Sequence, residues 1–207
     1  MSRDNELLFC KLDLRRVLEN QTRTMAAAID AIDSRQLLSR SADAWADELA
    51  TTYSIAPISL DESGITVDQQ DAEVDVSRDF RRAVFDRSRA LHIKGVSVSF
   101  FVPFSGEKNL FLCQPSMFTS NPPSGRVEEG TLVMTFTRTD HDAAAVKGEF
   151  DRQLGNVKGY LETIARDLGP FNAGLRDVAK EQVERRMEKV RKDQAMVADL
   201  GFPRRKA

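Results

Sequence analysis

The side chains able to do chemistry in this 207-residue chain are few and far apart. Cys10 and Cys113 are its only thiols, and His92 and His141 its only imidazoles. A structural zinc ion takes four such ligands at short spacings, and these residues offer no such spacing. A nucleophilic Cys113 would need a base brought beside it by the fold. It follows Leu112 in an alternating apolar run, where a buried cysteine is common. Ser105-Gly106 lies between Pro103-Phe104 and Glu107-Lys108, which reads as a hairpin turn and not as the Gly-x-Ser-x-Gly elbow of a serine hydrolase. No Gly-x-Gly-x-x-Gly and no Gly-x-x-x-x-Gly-Lys-Ser/Thr loop is present to cradle phosphate. Metal-dependent nucleases often place a carboxylate two positions before a lysine, so that Mg²⁺ sits beside a cation. None of the nine lysines has Asp or Glu there. The expectation is a chain with no catalytic group, no metal site and no cofactor, and a Cys113-dependent enzyme is the last alternative.

Two basic groups remain as candidate binding residues. Arg78, Arg81, Arg82, Arg87 and Arg89 precede an apolar run, and Arg204, Arg205 and Lys206 lie near the C-terminal end. They could contact phosphates or an acidic partner. The other reading is a solvated face, because Asp79 and Asp86 interleave with the arginines. The net charge of −2 divides unevenly: residues 1–140 carry 16 Lys/Arg against 21 Asp/Glu, and residues 141–207 carry 14 against 11. No face is basic enough to declare nucleic-acid binding.

Two rows of residues could form a seam. Gly148, Gly155 and Gly159 fall on one face of a helix. Each costs roughly 1 kcal/mol against alanine, so close approach of another backbone is expected there. That neighbour is either another helix of the same chain or a second copy. Val183, Met187, Val190, Gln194 and Val197 follow a 4-3-4-3 spacing. This fits a coiled-coil dimer with Gln194 as a polar register mark, or packing on a helix of the same chain.

The helices and strands that carry these residues are legible from periodicity. Leu14, Leu18, Gln21, Met25, Ala28 and Ile32 predict a helix from about Asp13 to Ile32. A second runs from about Ser41 to Tyr53, with Ser41 as its cap. Residues 55–76 read as short strands rich in acidic residues. Residues 77–89 read equally as a helix or a loop. Val96, Val98 and Phe100 alternate with Ser97 and Ser99, a half-buried strand. Gly106 turns the chain into a return strand Leu110–Leu112, and Leu132–Phe136 makes a third strand. After Asp140 the period becomes helical. Val146, Phe150, Leu154, Val157, Leu161, Ile164 and Leu168 define one helix. Gly169-Pro170 reads as its stop, and a second helix reaches Gly201-Phe202-Pro203.

The expected fold is therefore α+β. A small antiparallel sheet packs with N-terminal helices and a long C-terminal antiparallel helical hairpin. Residues 1–140 hold the helices and the β-unit, 141–201 the hairpin of the same domain, and 202–207 a basic tail or linker start. No run of 18 apolar residues predicts a membrane span. The N-terminus lacks a basic region followed by an apolar one, so it does not read as a signal peptide. Two unspaced cysteines fit a reducing cytoplasm.

Lys94-Gly95, Val102-Pro103-Phe104-Ser105-Gly106, Leu110-Phe111 and Gln114-Pro115-Ser116 form an ordered set of short motifs. Phe171-Asn172, Glu184-Arg185-Arg186 and Val197 to Arg205 continue it. Over roughly residues 70–205 this set resembles the N-terminal, non-catalytic part of prokaryotic proteins whose C-terminal part is a restriction-endonuclease-like nuclease. The resemblance implies a sensing, docking or oligomerisation module that positions or regulates an effector domain, in defence against foreign DNA. Its expected partner is that effector or another protein, with a homodimer or double-stranded DNA as further partners. Direct DNA binding through the basic residues is the first alternative function.

Overall fold

The computed structural model describes residues 5–77 and 90–201. The segment 78–89, read above as helix or loop, lies outside them. The chain divides into two compact units, one of residues 1–14 and 56–165, the other of residues 15–55 and 166–207.

The first unit is built on an antiparallel sheet. Its strands are β1 (Glu6–Leu7), β2 (Leu12–Asp13), β3 (Ser59–Leu60), β4 (Thr66–Asp75), β5 (His92–Ser105), β6 (Cys113–Gln114), β7 (Ser124–Glu128) and β8 (Thr131–Arg138). The order is β1-β7-β8-β5, with β3 and β4 both on the far edge of β5, while β2 and β6 form a short parallel pair. Register decides the faces. Val98 stands opposite Phe136 and Gln69, Phe100 opposite Met134 and Val67, and Val102 opposite Leu132. Successive side chains alternate, so these residues share one apolar face. Ser97 and Ser99 share the other, where their hydroxyls meet those of Thr137 and Thr135 at 3.3 and 2.9 Å.

A helix, Ala143–Asp199, follows β8. Its first half lies on the apolar face, with the Phe150 ring stacked on that of Phe100 at 4.0 Å. Val102, Leu132 and Met134 are fully buried. Phe9 adopts a positive φ of 56°, costly for a bulky residue. It is held by a bond from its N–H to the Phe111 carbonyl at 2.6 Å and by stacking on Tyr160 at 4.9 Å.

Two strand expectations change. Residues 66–75 form one ten-residue strand, not short pieces. Leu110–Leu112 is not a return strand: Lys108–Leu112 is a 3₁₀ turn, started by the Glu107 carboxylate accepting the Asn109 N–H at 3.1 Å. A local side-chain bond of this kind diverts the backbone from a ladder. Gly106 does take the expected positive φ, 103°, and a Cβ there would stand 2.3 Å from the Pro57 carbonyl oxygen.

The second unit is helical. Helices α1 (Leu14–Ala31), α2 (Ser34–Leu38) and α3 (Ala42–Tyr53) gather with the second half of the long helix, α4. Asp33 caps α2 and Ser41 caps α3, the latter accepting the Ala44 N–H at 3.1 Å. The core joins Met25, Ile29, Leu37, Trp45 and Leu49 to Leu175, Ala179, Val183, Met187 and Val190. Each large apolar side chain buried here contributes about 1.5–3 kcal/mol. The N-terminal helices thus share their core with the second half of α4.

The C-terminal hairpin is corrected to a single helix. α4 runs unbroken from Ala143 to Asp199 with Pro170 inside it. Pro170 removes one N–H from the ladder and crowds the Arg166 carbonyl. Tertiary burial offsets this, because the apolar row passes through in phase. Leu168 and Leu175 are buried, and the half-buried Phe171 lies three residues after the first and four before the second. A hairpin would place no such phase relation across its turn.

Candidate functional site

The sheet unit contains an open cleft of about 680 Å³, within the range of small-molecule sites. Its floor is the outer part of the apolar face, Val67, Val96, Val98 and Phe100, and its wall is the first turns of α4 with Ala143, Val146 and Phe150. Local sequence dictates this shape. The Val-Ser-Val-Ser-Phe alternation on β5 turns three apolar side chains to one face. Asp142 then starts α4 above them, its carboxylate accepting the Ala145 N–H at 3.0 Å. Phe100 and Phe150, parallel to within 11°, close one end, and Phe136 meets Phe100 edge-on at 5.9 Å. Val67 is 60% exposed although it belongs to this apolar surface.

The rim is charged but internally paired. Arg138 grips Asp140 with two bonds of 2.7 and 2.9 Å, and Glu149 stands 3.9 Å away. The hydrogen bond from Arg138 holds the Asp140 carboxyl down at about 2, with the guanidinium charge adding to it. Lys147 is engaged by Asp151 at 2.9 Å. Asp140 and Asp142 also lie beside the positive N-terminal end of α4. A second recess of about 350 Å³ shares Val96 and His141 with the cleft and is lined by Asp71, Glu73 and Lys94. The site offers apolar contact, few free polar groups and an acidic flank.

No protein-family model, curated protein or solved structure matches this chain.

Arg78, Arg81, Arg82, Arg87, Arg89, Arg204, Arg205 and Lys206 lie outside the described residues. Gly148, Gly155 and Gly159 are exposed, and among the described residues a Cβ on any of them would meet nothing within 4 Å. Among the described residues, then, no backbone of the same chain approaches these three glycines closely, and a second copy remains the other neighbour that their cost leads one to expect. Val183, Met187 and Val190 are buried in the helical core, and Gln194 and Val197 are half-buried near the end of α4. The seam row is thus used in part by the chain's own helices α1 and α3.

Among the described residues, no three His, Cys, Asp or Glu side chains gather to hold a metal ion. Cys10 is exposed. Cys113 is buried, its thiol pushed up to about 11 by burial and then by the Glu107 charge, and its Sγ donates to the Asn109 carbonyl at 3.4 Å. A group so held is a poor thiolate nucleophile. No sequence signal marked Arg138, Asp140 and His141 as neighbours of Val67 and Val98. Only the register of β8 on β5, with Arg138 opposite Val96, brings them to one rim.

Proposed function

We propose that this chain is a non-enzymatic docking and sensing module whose binding surface is the apolar cleft of the sheet unit. The observation that carries the reading is the open cleft itself: a floor of valines and Phe100 beneath the start of α4, with Val67 left in solvent. Apolar surface left open beside paired charges is the usual mark of a binding site. The engaged state of Arg138 and Lys147 supports recognition over proton transfer, since neither cation is free to serve a reacting group. The partner class that the motif resemblance implies is a nuclease-like effector, in prokaryotic defence, which the module would position or restrain.

Val98→Trp fills the cleft from its floor and tests the reading. Nile red should bind the wild-type protein with a blue-shifted, saturable emission, and the variant, checked for an unchanged circular dichroism spectrum, should lose it. Turnover of nucleic acid or nucleotide by the purified chain, abolished by a point substitution, would overturn the reading.

A further inference from the structure

Strand β4 is an edge. Its ten residues pair with β5 along one side from Thr66 opposite Phe101 to Asp75 opposite His92, and among the described residues nothing pairs with its other side. All of it is exposed except Ala72 and Val74, which are half-buried. A long open edge presents a row of unpaired backbone N–H and C=O groups, a template for another strand. The two recesses lie along this same strand, the apolar cleft at Val67 and Gln69 and the acidic recess at Asp71 and Glu73.

The charge on the edge selects its occupant. β4 carries Asp68, Asp71, Glu73 and Asp75 and no basic residue. Asp75 is occupied in closing the β4–β5 hairpin, accepting the N–H groups of Ser77 and Leu91 at 2.9 and 3.3 Å. Asp71 and Glu73 have no ion-pair partner among the described residues. A second copy of β4 paired in parallel register, or antiparallel about Ala72, would bring the same carboxylates against these, and like charges facing across strands are destabilising. Nucleic acid is repelled by the same groups. A cationic strand is favoured by them, since complementary charge fixes both partner and register.

We infer that β4 is the docking edge for an extended, basic segment of a partner protein, which continues the sheet and sets an apolar side chain beside Val67 in the cleft. Side chains on one face repeat every second residue. The partner therefore carries an apolar residue opposite Val67 and Lys or Arg opposite Asp71 and Glu73, four and six positions along. This rests on the docking reading above and gives it a partner class.

The probe is the fluorescein-labelled peptide Arg-Thr-Arg-Thr-Thr-Thr-Leu-Thr-Leu, titrated with the full chain at low salt and followed by anisotropy. Saturable binding is expected. Asp71→Lys combined with Glu73→Lys should weaken it about tenfold or more, and the same variant should bind the peptide with both Arg replaced by Glu. N-methylation of one or other alternate set of peptide N–H groups should abolish binding, because ladder bonds are lost. No binding, or binding indifferent to charge reversal or to both N-methylated sets, would overturn the inference. Self-association of the chain that occludes β4 would also overturn it, in favour of a second copy. If Nile red occupies the cleft and the peptide does not bind, the inference fails and the docking reading stands. If neither binds, both fail.

Discussion

The Asn172 carboxamide holds both backbone groups of Ile55, accepting its N–H at 3.0 Å and donating to its carbonyl at 2.9 Å. Asn172 thus acts as one rung of a ladder, fixing the chain after α3 to the second half of α4. Both bonds are partly buried, so removing the amide leaves two backbone groups unsatisfied. Asn172→Ala is expected to lower unfolding free energy by about 1–3 kcal/mol, measured by urea denaturation. Asn172→Asp, which keeps the acceptor and loses the donor, should fall between the two.

The glycines of α4 are expected to be dispensable. Among the described residues, nothing occupies the space where a Cβ would go at Gly148, Gly155 and Gly159. Alanine at each should raise stability by about 0.5–1 kcal/mol through helix propensity. A loss on any of the three would show that a second copy approaches that face, which sedimentation would then detect in the wild type.

The two thiols should react at very different rates. Cys10 is exposed, whereas burial pushes the Cys113 thiol up to about 11. Ellman's reagent at pH 8 should titrate one thiol fast in the native protein and the second only in denaturant. Two fast thiols would contradict the burial of Cys113.

These residues show where sequence was informative. Ser41 and Tyr53 bounded α3 because a cap and an apolar period agree there. The β5 alternation gave its face correctly for the same reason. Gly169-Pro170 misled because a local stop signal was set against a global one. The step of seven from Leu168 to Leu175, with Phe171 between, keeps the buried row in phase, and burial outweighs one missing N–H. The cleft was legible only in half. Valines on alternate positions announce an apolar face, but which element leaves it uncovered depends on register and on where α4 begins, and neither is written in any local motif.

The Arg138–Asp140 pair should give the rim a pH dependence. Asp140 is held at about 2, below its ordinary value of 3.8. A depressed folded-state value means the pair's contribution is complete above about pH 4 and disappears as pH falls toward 2. Carboxyl NMR should place the Asp140 midpoint near 2 in the wild type, and Arg138→Met should return it toward the ordinary carboxylate range.

Methyl NMR of the valine-labelled protein during Nile red addition tests the proposed binding role of the cleft. Progressive shifts concentrated on Val67, Val96, Val98 and Val146, and absent in Val98→Trp, are the expected result. Shifts centred on the helical core at Val183 and Val190, or no saturable shift at the four cleft valines, would contradict it.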